Sequence, residues 1–163
     1  MVNQDLYEVL GVLQVLKKCA GNKLSYFAMK NIKMIGKKLN DLEKAVEASP
    51  EFQEYQATRI ALCEAYSEKD ESGNFVTITE GEDSSYKIRE DIKEEFDSKF
   101  KLLQEEYKEA IKEQQQKIKV FNEELLMQDA ELDFHKIKFE DLGEGITGEI
   151  VEVIQELIID FDK

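Results

Sequence analysis

Residues that commonly carry out chemistry are few in this chain, and their spacing does not match a known catalytic arrangement. The one histidine, His135, stands beside Lys136 in a segment predicted to be a strand. A lone histidine in a strand is more often a surface or packing residue than a general base. The chain also has no Gly-x-Ser-x-Gly motif that would present a nucleophilic serine. We therefore predict that the protein has no catalytic residues and is not an enzyme.

Two segments approach ligand-binding motifs without matching them. The glycines of 143–148 have the spacing of a dinucleotide-binding loop, but Glu144 lies among them and no strand–helix–strand pattern surrounds them. Asp70 opens an oxygen-rich segment, 70–74, in which glycine comes fourth, whereas a calcium loop needs it sixth. Residues 70–74 therefore favour a turn between a helix and a strand. We expect no cofactor and no bound metal.

The cysteines and the start of the sequence both favour the cytosol. Cys19 and Cys63 have neither a Cys-x-x-Cys nor a zinc-type spacing, which is typical of two reduced thiols, although a bridge between them stays open. No apolar run approaches the roughly 20 residues of a membrane span. The first residues lack the basic and apolar regions of a signal peptide. These features predict a cytoplasmic protein that does not enter a membrane.

Charge is divided unequally along the sequence. Residues 1–49 carry eight lysines and five acidic residues, a net charge of +3. The whole chain has a net charge of −14, so residues 50–163 carry a net charge of −17. Such an acidic segment repels nucleic acid and attracts basic surfaces, or it mimics DNA toward a DNA-binding protein. We expect no direct binding of nucleic acid.

Eight acidic residues in the longest predicted helix are the candidate partner-binding site. That helix, 89–127, contains neither glycine nor proline, and one side of it is apolar at helical spacing. The carboxylates either keep the protein soluble or form a rod of negative charge that occupies the DNA channel of a nuclease or repressor. These eight residues, the acidic set, are Asp91, Glu94, Glu95, Asp97, Glu105, Glu106, Glu109 and Glu113.

Four lysines form a basic stripe on a second predicted helix, 24–48. Lys30, Lys33, Lys37 and Lys44 follow one another at steps of three, four and seven residues, so they share a face. The stripe either contacts a phosphate backbone or an acidic partner, or it faces the acidic helix 89–127 of the same chain. We favour the second interpretation, because charged helix faces are usually structural or solvated.

Hydrophobic periodicity predicts five helices and three strands. The helix 24–48 has an apolar seam in which residues from Ala28 to Val46 alternate steps of four and three, as in helices that pack on a partner. Asn3 is the expected N-cap of the first helix, and Gly11 lies inside that helix, which usually indicates a close packing neighbour. The predicted helices are 3–19, 24–48, 51–67, 89–127 and 148–161, and the predicted strands are 75–79, 86–88 and 132–139.

These elements predict a single α+β domain over residues 1–163. The domain is expected to be mostly helical, and 163 residues suffice to bury a core. Turn residues separate the strands 75–79 and 86–88, which indicates an antiparallel hairpin. We expect the strand 132–139 to join that hairpin and complete a small sheet.

The order of elements resembles a family of small uncharacterised proteins encoded by tailed bacteriophages. Residues 23–26 (Lys-Leu-Ser-Tyr) open the lysine-rich helix, and residues 64–74 read Glu-Ala-Tyr-Ser-Glu-Lys-Asp-Glu-Ser-Gly-Asn. Residues 86–88 (Tyr-Lys-Ile) precede the acidic helix, and residues 150–154 lie in an apolar helix after a glycine-rich loop. The family has no established catalytic residues. The resemblance implies an accessory phage protein that acts in the bacterial host cytosol by binding.

We therefore expect a protein-binding function. In one form the protein inhibits a host enzyme or defence protein through the acidic set. The alternative is an assembly, scaffold or oligomerising protein without an inhibitory role, which would use an exposed apolar seam of 24–48 or 100–125. The partner is a host or phage protein, or a second copy of this chain.

Overall fold

The structure, a computed structural model, describes residues 1–18, 22–80, 83–143 and 146–159. The chain folds mainly into helices and has a small antiparallel hairpin, so the predicted α+β class is confirmed. The helices are α1 (Asp5–Leu16), α2 (Asn22–Glu43), α3 (Pro50–Tyr66), α4 (Lys93–Glu106), α5 (Lys108–Val120) and α6 (Gly148–Val153). The strands are β1 (Thr77–Glu80), β2 (Asp83–Tyr86), β3 (Ile137–Lys138) and β4 (Ile158–Ile159).

The chain divides into two compact units, and the sequence had predicted one domain. The terminal unit consists of Met1–Glu47 together with Lys117–Lys163, and the central unit is Ala48–Gln116. The division falls within α5, so the last residues of that helix belong to the terminal unit.

The terminal unit has a closely packed apolar core. Helix α1 packs against α2 and α6, and its buried residues recur every three or four positions, as on one face of a helix. The apolar seam of α2 faces this core, with Ile35 and Leu39 buried. The idea that this seam is exposed for assembly is therefore wrong. The core consists of Leu6, Val9, Leu13, Leu16, Leu24, Phe27, Ala28, Ile35, Leu39, Ala130, Ile137, Leu142, Ile154, Leu157 and Ile158.

The predicted strand 132–139 differs most from the structure. Only Ile137–Lys138 is a strand, and it pairs in parallel with β4 rather than with the hairpin. The buried amide of Asn31 explains part of the difference, because it donates to the backbone oxygen of His135 and accepts from its N–H, both at 3.0 Å. These two groups of His135 are therefore bonded to a side chain instead of a neighbouring strand.

The last predicted helix, 148–161, is much shorter in the structure. Thr147 caps α6, which ends at Val153, and a short turn then leads into β4. The segment is rich in β-branched residues, which lose side-chain freedom in a helix and fit a strand well. The pairing of Ile158 with Ile137 therefore competes successfully with helix extension. Residues 160 and 161 lie outside the described residues.

The first helix also differs from its prediction at two positions. Asn3 does not cap α1; its side-chain nitrogen instead donates to the backbone oxygen of Leu125 at 2.7 Å. A Cβ built at Gly11 meets no atom within 4 Å. The close neighbour expected at Gly11 is therefore absent within the described residues.

The central unit is built on α3, the hairpin and α4. Ser49 accepts a hydrogen bond from the N–H of Phe52 at 3.2 Å, and Pro50 is the first residue of α3, which is how a Ser-Pro pair begins a helix. Strands β1 and β2 are antiparallel, with Thr77 opposite Tyr86. The hairpin occurs where strands 75–79 and 86–88 are predicted, but its ends are shifted by one to three residues. The residues between the strands, 81 and 82, lie outside the described residues.

The predicted helix 89–127 is interrupted. A short turn at 90–92 precedes α4, α4 ends before Tyr107, and a π-helical turn, Phe121–Leu125, follows α5. Tyr107 has φ −101° and ψ 19°, and its ring lies 5.8 Å from that of Tyr55 on α3. The predicted helix therefore breaks at this aromatic contact.

Candidate functional site

The acidic set lies entirely on the central unit. Its eight side chains are exposed and are distributed over the turn at 90–92, α4 and the first half of α5. The short turn and the break at Tyr107 divide the predicted rod of charge into three parts. Glu94 and Glu105 nevertheless lie on the same side of α4, because their separation of eleven positions makes about three helical turns.

Glu95 is engaged within the unit. Its carboxylate pairs with Lys99 at 2.9 Å and accepts a hydrogen bond from the hydroxyl of Tyr66 at 2.6 Å. Lys99 lowers the pKa of Glu95, and Tyr66 lowers it further. Glu95 in turn raises the pKa of Lys99. This triad ties α4 to the end of α3 and leaves Glu95 less available to a partner.

The other acidic residues differ in their engagement. Glu105 pairs with Lys108 at 3.0 Å, and this contact bridges the break between α4 and α5. Burial raises the pKa of Tyr107 most, and the charges of Glu54 and Glu106 raise it further. Within the described part of the chain, no ion pair is made by Asp91, Glu94, Asp97, Glu106 or Glu109.

Leu102 stands in the middle of these carboxylates. It is 70% exposed, the highest exposure of any large hydrophobic residue that the structure describes. Glu95 lies seven residues before it, and Glu105 and Glu106 lie three and four residues after it, so all three share its face of α4. We call Leu102 with Glu94, Glu95, Glu105 and Glu106 the acidic face.

Sequence reasoning missed Leu102, although the sequence contains a signal for it. The apolar side of α4 is formed by Phe96, Phe100 and Leu103, and Leu103 is buried to 7% exposure. Leu102 directly precedes Leu103, so its side chain is rotated by about 100° around the helix axis from that of Leu103. Because Leu102 does not follow the apolar spacing of α4, its exposure could have been predicted from the sequence.

Lysines interrupt the acidic surface. Over residues 90–116 there are nine acidic residues and five lysines. Lys101, for example, lies four residues from both Asp97 and Glu105. The surface therefore resembles a mixed helix face with an acidic excess more than a uniform array of phosphates.

The basic stripe lies on the terminal unit. Lys30, Lys33 and Lys37 are exposed on α2, and Lys44 pairs with Asp41 at 2.8 Å. The expectation that the stripe faces helix 89–127 stays a prediction. Two exposed apolar residues accompany the lysines on α2, Tyr26 at 58% and Met29 at 51% exposure. The ammonium of Lys30 lies 5.3 Å from the centre of the Tyr26 ring.

Among the remaining candidate residues, His135 belongs to the terminal unit and the segment 70–74 to the central unit. His135 is exposed, and its backbone is held by Asn31. The segment 70–74 forms a turn in which Asp70 accepts from the N–H groups of Ser72 and Asn74 at 2.8 and 2.9 Å. Backbone hydrogen bonding, from Asn74 above all, lowers the pKa of Asp70.

Cys63 is a free, partly buried thiol, whereas Cys19, Glu144 and Gly145 lie outside the described residues. Among the residues that the structure describes, no three histidine, cysteine or carboxylate side chains lie close enough to hold a metal ion. None of the described helices is both long enough and apolar enough to cross a membrane.

No protein-family profile, curated protein or solved structure matches this chain. The resemblance to tailed-bacteriophage proteins therefore stays a prediction from the sequence.

Proposed function

We propose that the protein acts by binding another protein through the acidic face of α4. The observation that carries this proposal is the exposure of Leu102 at the centre of four glutamates. If this helix surface only kept the protein soluble, the leucine would be unfavourable there, because its apolar side chain stays in contact with water. On a docking surface the same leucine becomes the apolar centre of an interface.

The composition of the face indicates the chemistry of its partner. Binding energy in protein interfaces is concentrated in a few central contacts, and the polar rim excludes water from them. The rim here is acidic, so it attracts a basic surface and accelerates encounter with it. The partner is therefore a protein that has an apolar pocket bordered by lysine or arginine side chains.

Docking of this kind is favoured over mimicry of a DNA duplex. A duplex presents a uniform series of phosphates, whereas this surface carries a leucine and alternates glutamates with lysines. The acidic face can still inhibit a DNA-binding host protein by covering a basic part of its surface. Such an inhibitor needs only one patch on its target.

The biological setting in this proposal comes from the sequence resemblance. An accessory protein of tailed-phage type acts in the cytosol of a bacterial host and binds a host enzyme, a defence protein or another phage protein. In the first two cases the consequence of binding is inhibition.

The test is affinity capture from bacterial lysate, with and without phage infection, followed by mass spectrometry. Two variants remove the acidic face: Leu102→Ala, and the double variant Glu105→Lys with Glu106→Lys. The controls are Met127→Ala, which truncates another exposed residue, and Glu123→Lys with Glu124→Lys, which reverses an adjacent exposed pair on the terminal unit.

The proposal predicts that both face variants lose at least tenfold of a captured partner that the controls retain. Retention of the same partner by all variants would show that the acidic face is not the binding surface. Circular dichroism of each variant separates loss of binding from loss of fold. Leu102 and the two glutamates are exposed, so their substitution, including loss of the Glu105–Lys108 ion pair, is expected to change stability by no more than about 1 kcal/mol.

Self-association is a second candidate function, favoured by the basic stripe. Lys30, Lys33 and Lys37 lie beside the exposed Tyr26 and Met29, and this surface is complementary in charge to the acidic face of another copy. Sedimentation velocity at about 50 and 500 mM salt tests this candidate, since screening weakens contacts between exposed charges. A dimer that dissociates with salt or with Lys33→Glu would support it, and a monomer at both salt concentrations would exclude it.

A further inference from the structure

A cavity of about 340 Å³ lies within the central unit, beside the hairpin. Helix α3 contributes Arg59, Ile60 and Cys63, β2 contributes its last residues, and α4 contributes Phe96 and Phe100. The two phenylalanine rings are stacked, with centroids 5.6 Å apart. Cavities that bind small molecules have volumes of roughly 300 to 1,000 Å³ and are mostly apolar, with a few polar groups.

The polar groups of this cavity are cationic or hydroxylic. Arg59 is the one charged residue in its lining, which also includes Ser84 and Ser85 of β2. Arg59 makes no ion pair with any residue in the described ranges. Tyr86 also lines the cavity, but its hydroxyl donates to Glu64 at 3.2 Å. Arg59 is therefore the group that is free to select the charge of a ligand.

The thiol in the cavity does not favour covalent chemistry. Burial raises the pKa of Cys63, and the charge of Arg59, one helical turn earlier, only partly opposes this effect. A thiol that remains protonated is a weak nucleophile. Cys63 instead supplies an apolar wall and a position at which occupancy can be measured.

We propose that this cavity binds a small ligand that has a flat apolar body and one carboxylate or sulfonate group. The body lies against Phe96, Phe100 and Ile60, and the anionic group pairs with the Arg59 guanidinium, a planar fork of donors that matches a carboxylate. The cavity and the acidic face involve different residues of α4, so this proposal does not depend on the proposed function.

The test uses 2-naphthoate and its neutral analogue 2-naphthamide as probes, in isothermal titration calorimetry with the full chain. A charged hydrogen bond to Arg59 is expected to make naphthoate bind about tenfold more tightly than the amide. Arg59→Gln is expected to abolish that preference. Arg89→Gln is the matched control, because Arg89 is the one other arginine of the chain and does not line the cavity.

A second measurement locates the probe. In a Cys19→Ser background, Cys63 is the single thiol, and bound naphthoate is expected to slow its alkylation by iodoacetamide at least threefold. Equal affinity of naphthoate and naphthamide, unchanged preference in Arg59→Gln, or binding without protection of Cys63 would each overturn the proposal. Absence of binding of both probes at millimolar concentration would overturn it as well.

Discussion

The two units differ in how they hold their helices together. In the terminal unit, mainly aliphatic side chains from α1, α2 and the segments around β3 and β4 form one buried cluster, and partly buried residues of α6 pack against it. In the central unit, Tyr55 and Leu103 are the large hydrophobic residues that the structure describes as buried. Aromatic pairs such as Tyr55–Tyr107 and Tyr66–Phe96 connect α3 to the helices that follow.

Aliphatic and aromatic packing differ in how much of the side-chain surface they leave exposed. Aliphatic burial stabilises a fold in proportion to the area removed from water. An aromatic pair adds about 0.5–1.5 kcal/mol beyond its burial, and it leaves the other edges of the rings available to solvent or to a cavity. The central unit therefore combines a small core with a cavity and an exposed leucine.

The two units also differ in net charge. The central unit carries 18 acidic and 9 basic residues, a net charge of −9, whereas the terminal unit carries 18 acidic and 13 basic residues, a net charge of −5. Like charges in a small unit oppose compaction and keep it soluble. A basic partner or added salt is expected to stabilise the central unit more than the terminal unit.

The largest expected effect comes from the core of the terminal unit. Leu13 is fully buried there, so Leu13→Ala removes its packing and leaves a cavity. The expected loss is about 3–5 kcal/mol of the free energy of unfolding, measured by urea denaturation. Leu103→Ala in the central unit is expected to cost less, about 2–3 kcal/mol, because fewer buried neighbours surround the site. Equal losses would contradict the contrast between the units.

A polar contact of the terminal unit gives the next effect. Asn31→Ala removes both hydrogen bonds to the backbone of His135 and leaves those groups without their partner. The expected loss is about 2–3 kcal/mol, with faster hydrogen exchange around β3. Asn40→Ala, on an exposed position of the same helix, is the control and is expected to have little effect. If both variants unfold at the same urea concentration, the amide of Asn31 does not hold this segment.

The sequence predicted the fold class and the hairpin because those depend on local signals. Alternating β-branched residues next to turn residues suffice to indicate a hairpin, and the periodicity of α1 and α2 identifies their buried faces. The pairing of β3 with β4 depends on contacts between distant segments, and Asn31 carries no sequence signal of its role. The acidic set was predicted from composition, but which of its members are paired depends on Tyr66 and on lysines one turn away.

A smaller effect of opposite sign is expected at the glycines inside helices. Gly11 and Gly36 are exposed, and a Cβ at either position meets no atom within 4 Å. Gly11→Ala and Gly36→Ala are each expected to stabilise the terminal unit by about 0.5–1 kcal/mol, because alanine loses less backbone entropy in a helix. Thermal denaturation measures this gain. Gly73→Ala is the contrasting variant and is expected to destabilise, since Gly73 has φ +84°.

The smallest effect concerns pH and the triad of the central unit. The pKa of Glu95 is lowered in the folded state by Lys99 and Tyr66. The stabilisation that this gives is present above the ordinary pKa of a glutamate and is lost as the pH falls through the lowered value. Tyr66→Phe removes one donor and is expected to raise the pKa of Glu95, as measured by NMR titration of its carboxyl carbon. An unchanged titration in Tyr66→Phe would show that this hydroxyl does not bind Glu95 in solution.

The ammonium of Lys117 donates to the backbone oxygen of Glu47 at 3.4 Å, so the chain leaves the terminal unit and re-enters it at neighbouring residues. The terminal unit can be completed only after the whole central segment has been synthesised and its ends have been brought together. The entropic contribution to the free energy of closing such a loop rises by only about 0.6 kcal/mol for each doubling of the loop length. Residues 48–116 can therefore lengthen or shorten at little thermodynamic cost to the core of the terminal unit.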